Sequence, residues 1–177
     1  MAVYTKRGDR GKTDLFDPKN GKKIRVLKND QRLQIIGTID ELNSVLGVVK
    51  CLLLEKNDIS LIEKIQKDLF LVNSNVAGVK GINFSKSKVS YLEKKIDLLE
   101  EKLPKLTNFI LPGGNTASSF FHLARCITRR AERNIVTFSK DEKFNENILM
   151  YINRLSDLFF TLARWQNFSN GKKETDW

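Results

Sequence analysis

Breaks are scarce in this chain: three prolines and ten glycines among 177 residues, which leaves long stretches free to run as uninterrupted helices. Histidine is scarcer still. The lone His122, with two distant thiols, cannot assemble the three or four ligands of a zinc-type site. No H-E-x-x-H or paired E-x-x-H occurs, and no Ser-His-acid or Cys-His set can be put together. His122 is therefore expected to be a satisfied structural residue. An enzyme built on this sequence would use its side chains to position and neutralise while its substrates bring the reactivity. The two cysteines, Cys51 and Cys126, lack C-x-x-C spacing and sit inside helical apolar patterns. Buried, reduced thiols are expected, and with them a cytoplasmic location. No charged-then-apolar leader opens the sequence, and no apolar run approaches the roughly 20 residues of a membrane span. A soluble protein with no membrane partner is expected.

What is present is helix-forming sequence in quantity. The length suits one domain with a proper core, here residues 1–177 taken as a single unit. A net charge of +10 raises the possibility of a basic helical nucleic-acid binder. However, Lys22, Lys23, Lys86, Lys88, Lys94, Lys95, Lys172 and Lys173 are scattered among acidic residues, without the aromatic platforms that stack bases. No nucleic-acid partner is expected.

Residues 1–36 hold Gly8, Gly11, Pro18 and Gly21 and no helical stripe, so they form a polar, loop-like arm with a short extended piece near Ile24-Arg25-Val26-Leu27. Thr38-Ile39-Asp40-Glu41 has the form of a capping box, which places a helix start at Thr38. Leu42, Val45, Val49 and Leu52 carry that helix to about Glu55. A second, from about Ile59, uses Ile62, Ile65, Leu69, Val72 and Val76 and stops near Gly78 and Gly81. A third, from about Ser87, uses Val89, Leu92, Ile96, Leu99 and Leu103 before Pro104. A fourth begins after Gly113-Gly114, capped by Asn115 or Thr116, and a fifth covers about Asn145 to Asn167. Five amphipathic helices on short links predict an all-α, five-helix up-and-down bundle over residues 38–167, with a tail at 168–177.

Three patches carry the chemical interest. On the fourth helix Phe120, Ala124, Ile127, Ala131 and Ile135 form an apolar stripe, while Arg125, Arg129 and Glu132 lie on another face. A row of guanidinium groups can hold a polyanion bidentately, although such a row can equally be a solvated face. The arm segment Tyr4 to Asp14 ends Gly11-Lys12-Thr13, but its glycine spacing does not fit a Walker A loop. It does offer backbone N–H groups and the donors of Thr5, Lys6 and Thr13 to an anion. On the fifth helix, Asn153-Arg154-Leu155-Ser156-Asp157 suggests a surface ion pair between Arg154 and Asp157. Phe109, before the Pro112-Gly113-Gly114 turn, suggests a core residue.

Five blocks, Thr5–Thr13, Gly37–Ser44, Phe109–Gly114, Arg129–Arg133 and Asn153–Asp157, resemble in order and approximate spacing the propanediol-utilisation-type ATP:cob(I)alamin adenosyltransferases. The resemblance implies ferritin-like bundles assembled as a homotrimer with active sites at the subunit interfaces. It implies attack of cobalt(I) on the 5′ carbon of ATP, giving adenosylcobalamin and triphosphate, with Mg2+ assisting and no residue assigned to a metal. It also implies ATP contacts at Thr5, Lys6, Arg7, Gly8, Thr13, Asp14, Lys28, Arg129, Arg130, Glu132, Arg133 and Asn153. Asp40 would pair with Arg125 across the interface, and Arg125, Arg129 and Asp40 would serve the reaction. Phe109 would lie against the lower face of the corrin and displace its axial base. A reductase and an adenosylcobalamin-dependent enzyme are the implied protein partners. A non-catalytic protein that binds or delivers corrinoid remains the alternative within the resemblance. Ile35-Ile36 before Gly37 departs from the aromatic and alanine common in relatives, which affects local packing only.

Overall fold

The arm holds the extended piece expected near Ile24–Leu27, but it is paired in a hairpin rather than lying in a loop. In the computed structural model, which describes residues 4, 6–17, 20–139 and 144–177, strands β1 (Lys12–Asp17) and β2 (Lys22–Leu27) form an antiparallel hairpin. Its register runs from Lys12 opposite Leu27 to Asp17 opposite Lys22. The all-α expectation is corrected to this extent. Among the described residues Leu15 is the hairpin's one buried apolar side chain, so the strands are specified by backbone pairing and cross-strand charge more than by a hydrophobic face. Gly21 adopts φ +67° at the turn, where its N–H donates to the Asp17 carbonyl at 2.8 Å.

Helix α1 spans Gln31–Leu52, capped by Asp30, whose carboxylate accepts from the Arg32 N–H at 2.9 Å. The start expected at Thr38 is therefore seven residues late. Thr38 lies in the helix interior and its hydroxyl donates back to the Gln34 carbonyl at 2.7 Å. The reason is packing: Ile35, fully buried, begins the stripe that continues through Ile39, Leu42, Leu46 and Val49. Burying a side chain of this size contributes roughly 1.5–3 kcal/mol, more than a cap of about 1 kcal/mol. The helix also ends before Glu55, because Leu53 turns to extended backbone.

The other four helices lie near their expected positions. Helix α2 spans Lys56–Val76, and Gly78 at φ +86° lets the Val79 N–H return to the Ser74 carbonyl at 3.0 Å. Helix α3 spans Ser87–Glu100, with Leu103 buried in the turn that follows. Helix α4 spans Thr116–Phe138, and the Asn115 side chain caps it by accepting from the Ser118 N–H at 2.8 Å. Helix α5 spans Glu146–Ser169 and is capped in the same way by Asn145. Helix α4 packs against α5 and α1, α3 against α5, and α2 against α1, so α4 and α5 form the centre of the fold. Its core includes Leu46, Ile65, Leu69, Phe121, Phe159 and Leu162. Among the described residues no helix is long and apolar enough to cross a membrane.

Both cysteines are exposed, against expectation. Successive helical residues are turned by about 100°, so Cys126 is carried to the outer side of a helix whose inner side holds Phe121, Ala124, Ile127 and Ala131. Cys51 sits beside the similarly exposed Leu52.

Candidate functional site

Helix α4 carries two different surfaces along one rod. Toward its C-terminal half, Arg129, Arg130 and Arg133 are exposed. Arg130 pairs with Glu41 of α1. Among the described residues Arg129 and Arg133 make no ion pair, which leaves two cations available to an anion. Glu132 does not pair with these arginines. Its carboxylate accepts from Asn153 Nδ2 on α5 at 2.7 Å, so two proposed ATP residues, one from each central helix, are joined. The expected Arg154–Asp157 pair forms at 2.7 Å, and Arg154 also reaches Glu93 at 3.3 Å.

One turn earlier on α4, Arg125 and His122 face a cavity of about 830 Å³, shared with Phe109, Ile110, Phe160 and Trp177. Phe109 is 81% exposed, so it is not the core residue that its sequence context suggests. Its ring meets the Trp177 ring edge-on, with centroids 6.5 Å apart. Among the described residues the 4% exposed His122 has no hydrogen-bond partner on either ring nitrogen, which corrects the expectation of a satisfied histidine. Burial, with the Arg125 charge beside it, holds its pKa below the usual imidazole range and keeps the ring neutral at pH 7. Arg125 Nε is likewise buried without a partner among the described residues.

The turn before α4 is fixed tightly. Gly114 has φ +110°, and a Cβ there would overlap the Asn167 amide. That amide donates to the Gly113 carbonyl at 3.0 Å and accepts from the Asn115 N–H at 3.0 Å. Asn167 therefore ties the Pro112-Gly113-Gly114 turn to the end of α5.

The hairpin gathers most of the arm residues singled out from the sequence. Asp14 lies between Arg7 at 3.1 Å and Arg25 at 3.3 Å, and Arg25 donates to the Arg7 carbonyl at 2.6 Å. Asp14 thereby holds cations in place. Lys28 is brought against Gly8, where an added Cβ would come within 3.2 Å of its Nζ, and its N–H donates to the Gly11 carbonyl at 2.9 Å. Lys6, at φ +56°, begins this loop, and Thr13 is half-buried in β1 opposite Val26. Thr5 lies outside the described residues. Among the described residues no hydrogen bond or ion pair joins this hairpin to the α4 arginines. Asp40, too, is separate from Arg125 within the chain and accepts from Asn73 Nδ2 at 2.8 Å.

Four contributors carried little sequence signal. Arg25 is identified only by its place opposite Asp14 in the strand register. Phe160, Asn167 and Trp177 join the site through the packing of α5 and the tail. Among the described residues no three His, Cys, Asp or Glu side chains cluster in a way that could hold a metal ion.

The sequence pattern of the cobalamin adenosyltransferase family matches residues 3–166. A corrinoid adenosyltransferase of Bacillus subtilis is 40% identical over 178 residues, covering 97% of this chain and 89% of that protein. The corrinoid adenosyltransferase PduO of Salmonella typhimurium is 38% identical over 170 residues, 93% of this chain, which spans only 49% of its length. Among solved structures, a phenylalanine-to-alanine variant of the PduO-type ATP:corrinoid adenosyltransferase from Lactobacillus reuteri, complexed with cobalamin and ATP, superposes with a TM-score of 0.90. It is 35% identical, with 99% of each chain covered. With its cavity and arginine row on one central helix, this chain belongs to the cobalamin adenosyltransferase family and is a transferase.

Proposed function

We propose that the protein transfers the 5′-deoxyadenosyl group of ATP to cob(I)alamin, releasing adenosylcobalamin and triphosphate. The observation that carries the reading is the sharing of α4 between a large, mostly apolar cavity and an exposed arginine row. Arg125 at the cavity and Arg129 in the row are four residues apart, about 6 Å along the axis. A corrin lying in the cavity and a polyphosphate on the row would therefore have their reacting atoms close together.

The chemistry needs little from the protein by way of acid or base. Cobalt(I) supplies the electron pair for the new Co–C bond. The C5′–O bond breaks, and its electrons go to the triphosphate oxygen. The protein's task is to stabilise the charge that collects there, and Arg129 and Arg133, which bound nucleotide would order, suit it. Mg2+ is usually held by one or two carboxylates together with substrate phosphates. Glu132, positioned by Asn153, is the candidate donor. Phe109 would press on the lower face of the corrin and displace the axial base, which makes the cobalt(I) state easier to reach.

The hairpin cations Lys6, Arg7 and Lys28 and the helix row would be brought together between protomers of a homotrimer. There Asp40 of one protomer would meet Arg125 of the next and satisfy the buried Nε that lacks a partner among the described residues. A soluble, cytoplasmic setting with a reductase supplying cobalt(I), and an adenosylcobalamin-dependent enzyme receiving the product, completes the reading.

The test is an anaerobic assay with ATP and reduced cobalamin, followed by visible absorbance. Turnover that falls about 100-fold or more in Arg129→Ala is expected. Corrinoid binding without turnover in the wild type would instead identify a delivery protein.

A further inference from the structure

The tail beyond α5 folds back along the segment that bears Phe109. Ile110 stands opposite Asp176 in an antiparallel bridge, the Leu111 N–H donates to the Thr175 carbonyl at 2.8 Å, and the Trp177 N–H donates to the Phe109 carbonyl at 2.9 Å. Two backbone bonds alone would fray in water. They are anchored by Arg164, a guanidinium that is 1% exposed near the end of α5. Its Nε donates to both carboxylate oxygens of Glu174, at 3.1 and 3.3 Å, and its Nη2 donates to the Pro104 carbonyl at 2.7 Å. Glu100 at the end of α3 lies 3.7 Å from Nη1. One buried cation thus clamps the root of the Phe109 segment, at Pro104, and the root of the returning tail, at Glu174. The two are then zipped together as far as Trp177.

From this arrangement we infer that Arg164 and Glu174 are positioning residues for Phe109: they form a latch that holds the tail as a strap and so fixes the ring at the mouth of the cavity. Phe109 is 81% exposed and gains little from packing, so its orientation depends on its backbone being held. A carboxylate facing a desolvated guanidinium is a strong, directional tie, and the Pro104 carbonyl keeps the guanidinium plane fixed when the tail moves. The inference rests on the proposed reaction only where it says what the ring is held for.

The experiment compares Glu174→Ala and Glu174→Gln with the wild type. Amide hydrogen exchange at Leu111 and Trp177, without any corrinoid, reads the strap directly. Exchange about tenfold faster in Glu174→Ala is expected, with an intermediate value in Glu174→Gln, which keeps one acceptor oxygen. With ATP present, the visible and electron-spin-resonance spectra of bound cob(II)alamin report how much of it has lost its axial base. That fraction should fall in the same order, with KM for ATP unchanged and kcat reduced about fivefold or more. Unchanged exchange at both amides overturns the latch. Faster exchange with unchanged axial coordination and kcat overturns the positioning role. A wild type that binds no corrinoid overturns the adenosyl-transfer reading instead, and leaves the exchange result standing as evidence for the strap. If Glu174→Ala unfolds, the same readings on Glu174→Gln decide.

Discussion

The two ends of the site are built on opposite principles. At the cavity end, the loop from Pro104 to Asn115 is tied by backbone bridges to the tail, by Asn167 to α5, and by a fully buried arginine. At the polyanion end, Lys6, Arg7, Arg129 and Arg133 are exposed, and the ties there, Arg130 to Glu41 and Arg7 to Asp14, are solvent-facing ion pairs. Exposed pairs of this kind contribute about 0–1 kcal/mol each. One end is preorganised by the chain itself, whereas the other holds exposed cations that the chain alone fixes only weakly.

The largest effect that would sharpen this contrast lies at the proposed interface. Asp40→Ala would remove the acceptor proposed for the half-buried Arg125 across that interface and should weaken assembly by about 3–5 kcal/mol, measured by analytical ultracentrifugation. Next comes the preorganised end. Gly114→Ala forces a side chain into the Asn167 amide at a left-handed φ and should cost about 1–3 kcal/mol of stability in urea unfolding, together with a slower reaction.

A smaller, pH-dependent effect belongs to His122. Its folded pKa is depressed by burial and then by Arg125, so the unfolded state takes up the proton first as pH falls. The stability associated with the neutral ring is complete above the unfolded value of about 6.5 and is lost as pH falls toward the folded one. Thermal melts from about pH 7.5 to about pH 5 should therefore show a greater fall in Tm for the wild type than for His122→Phe. The smallest effect is Glu41→Ala, which frees Arg130 and should change stability by no more than about 1 kcal/mol. A larger loss there would break the comparison, because the polyanion end would then be as firmly built as the other.

Helical spacing showed most of the fold, since a buried stripe recurs every three or four residues whatever it packs against. Asn115 and Gly78 could be recognised as helix ends because capping and left-handed turns demand particular residue types. The extended piece at Ile24–Leu27 was legible, but β1 and its pairing escaped because the strands bury almost nothing apolar and are held by backbone and by Asp14–Arg25 pairing. The start of α1 was displaced because Ile35 packs upstream of a persuasive capping box. Arg129 and Arg133 could be proposed from motif order, whereas Lys28 lies outside the five blocks. The strap could not, because backbone bridges between Phe109–Leu111 and Thr175–Trp177 leave no side-chain signature. Arg164 is buried by a segment that the α5 pattern does not contain.

The central claim is that the ligand in the cavity is alkylated by ATP while the arginine row receives the leaving polyphosphate. Anaerobic single-turnover reaction of the wild-type protein with ATP and cob(I)alamin, with both products quantified, tests it most directly. The account predicts adenosylcobalamin and intact triphosphate in equal amounts. Production of orthophosphate or ADP without a Co–C bond would contradict it.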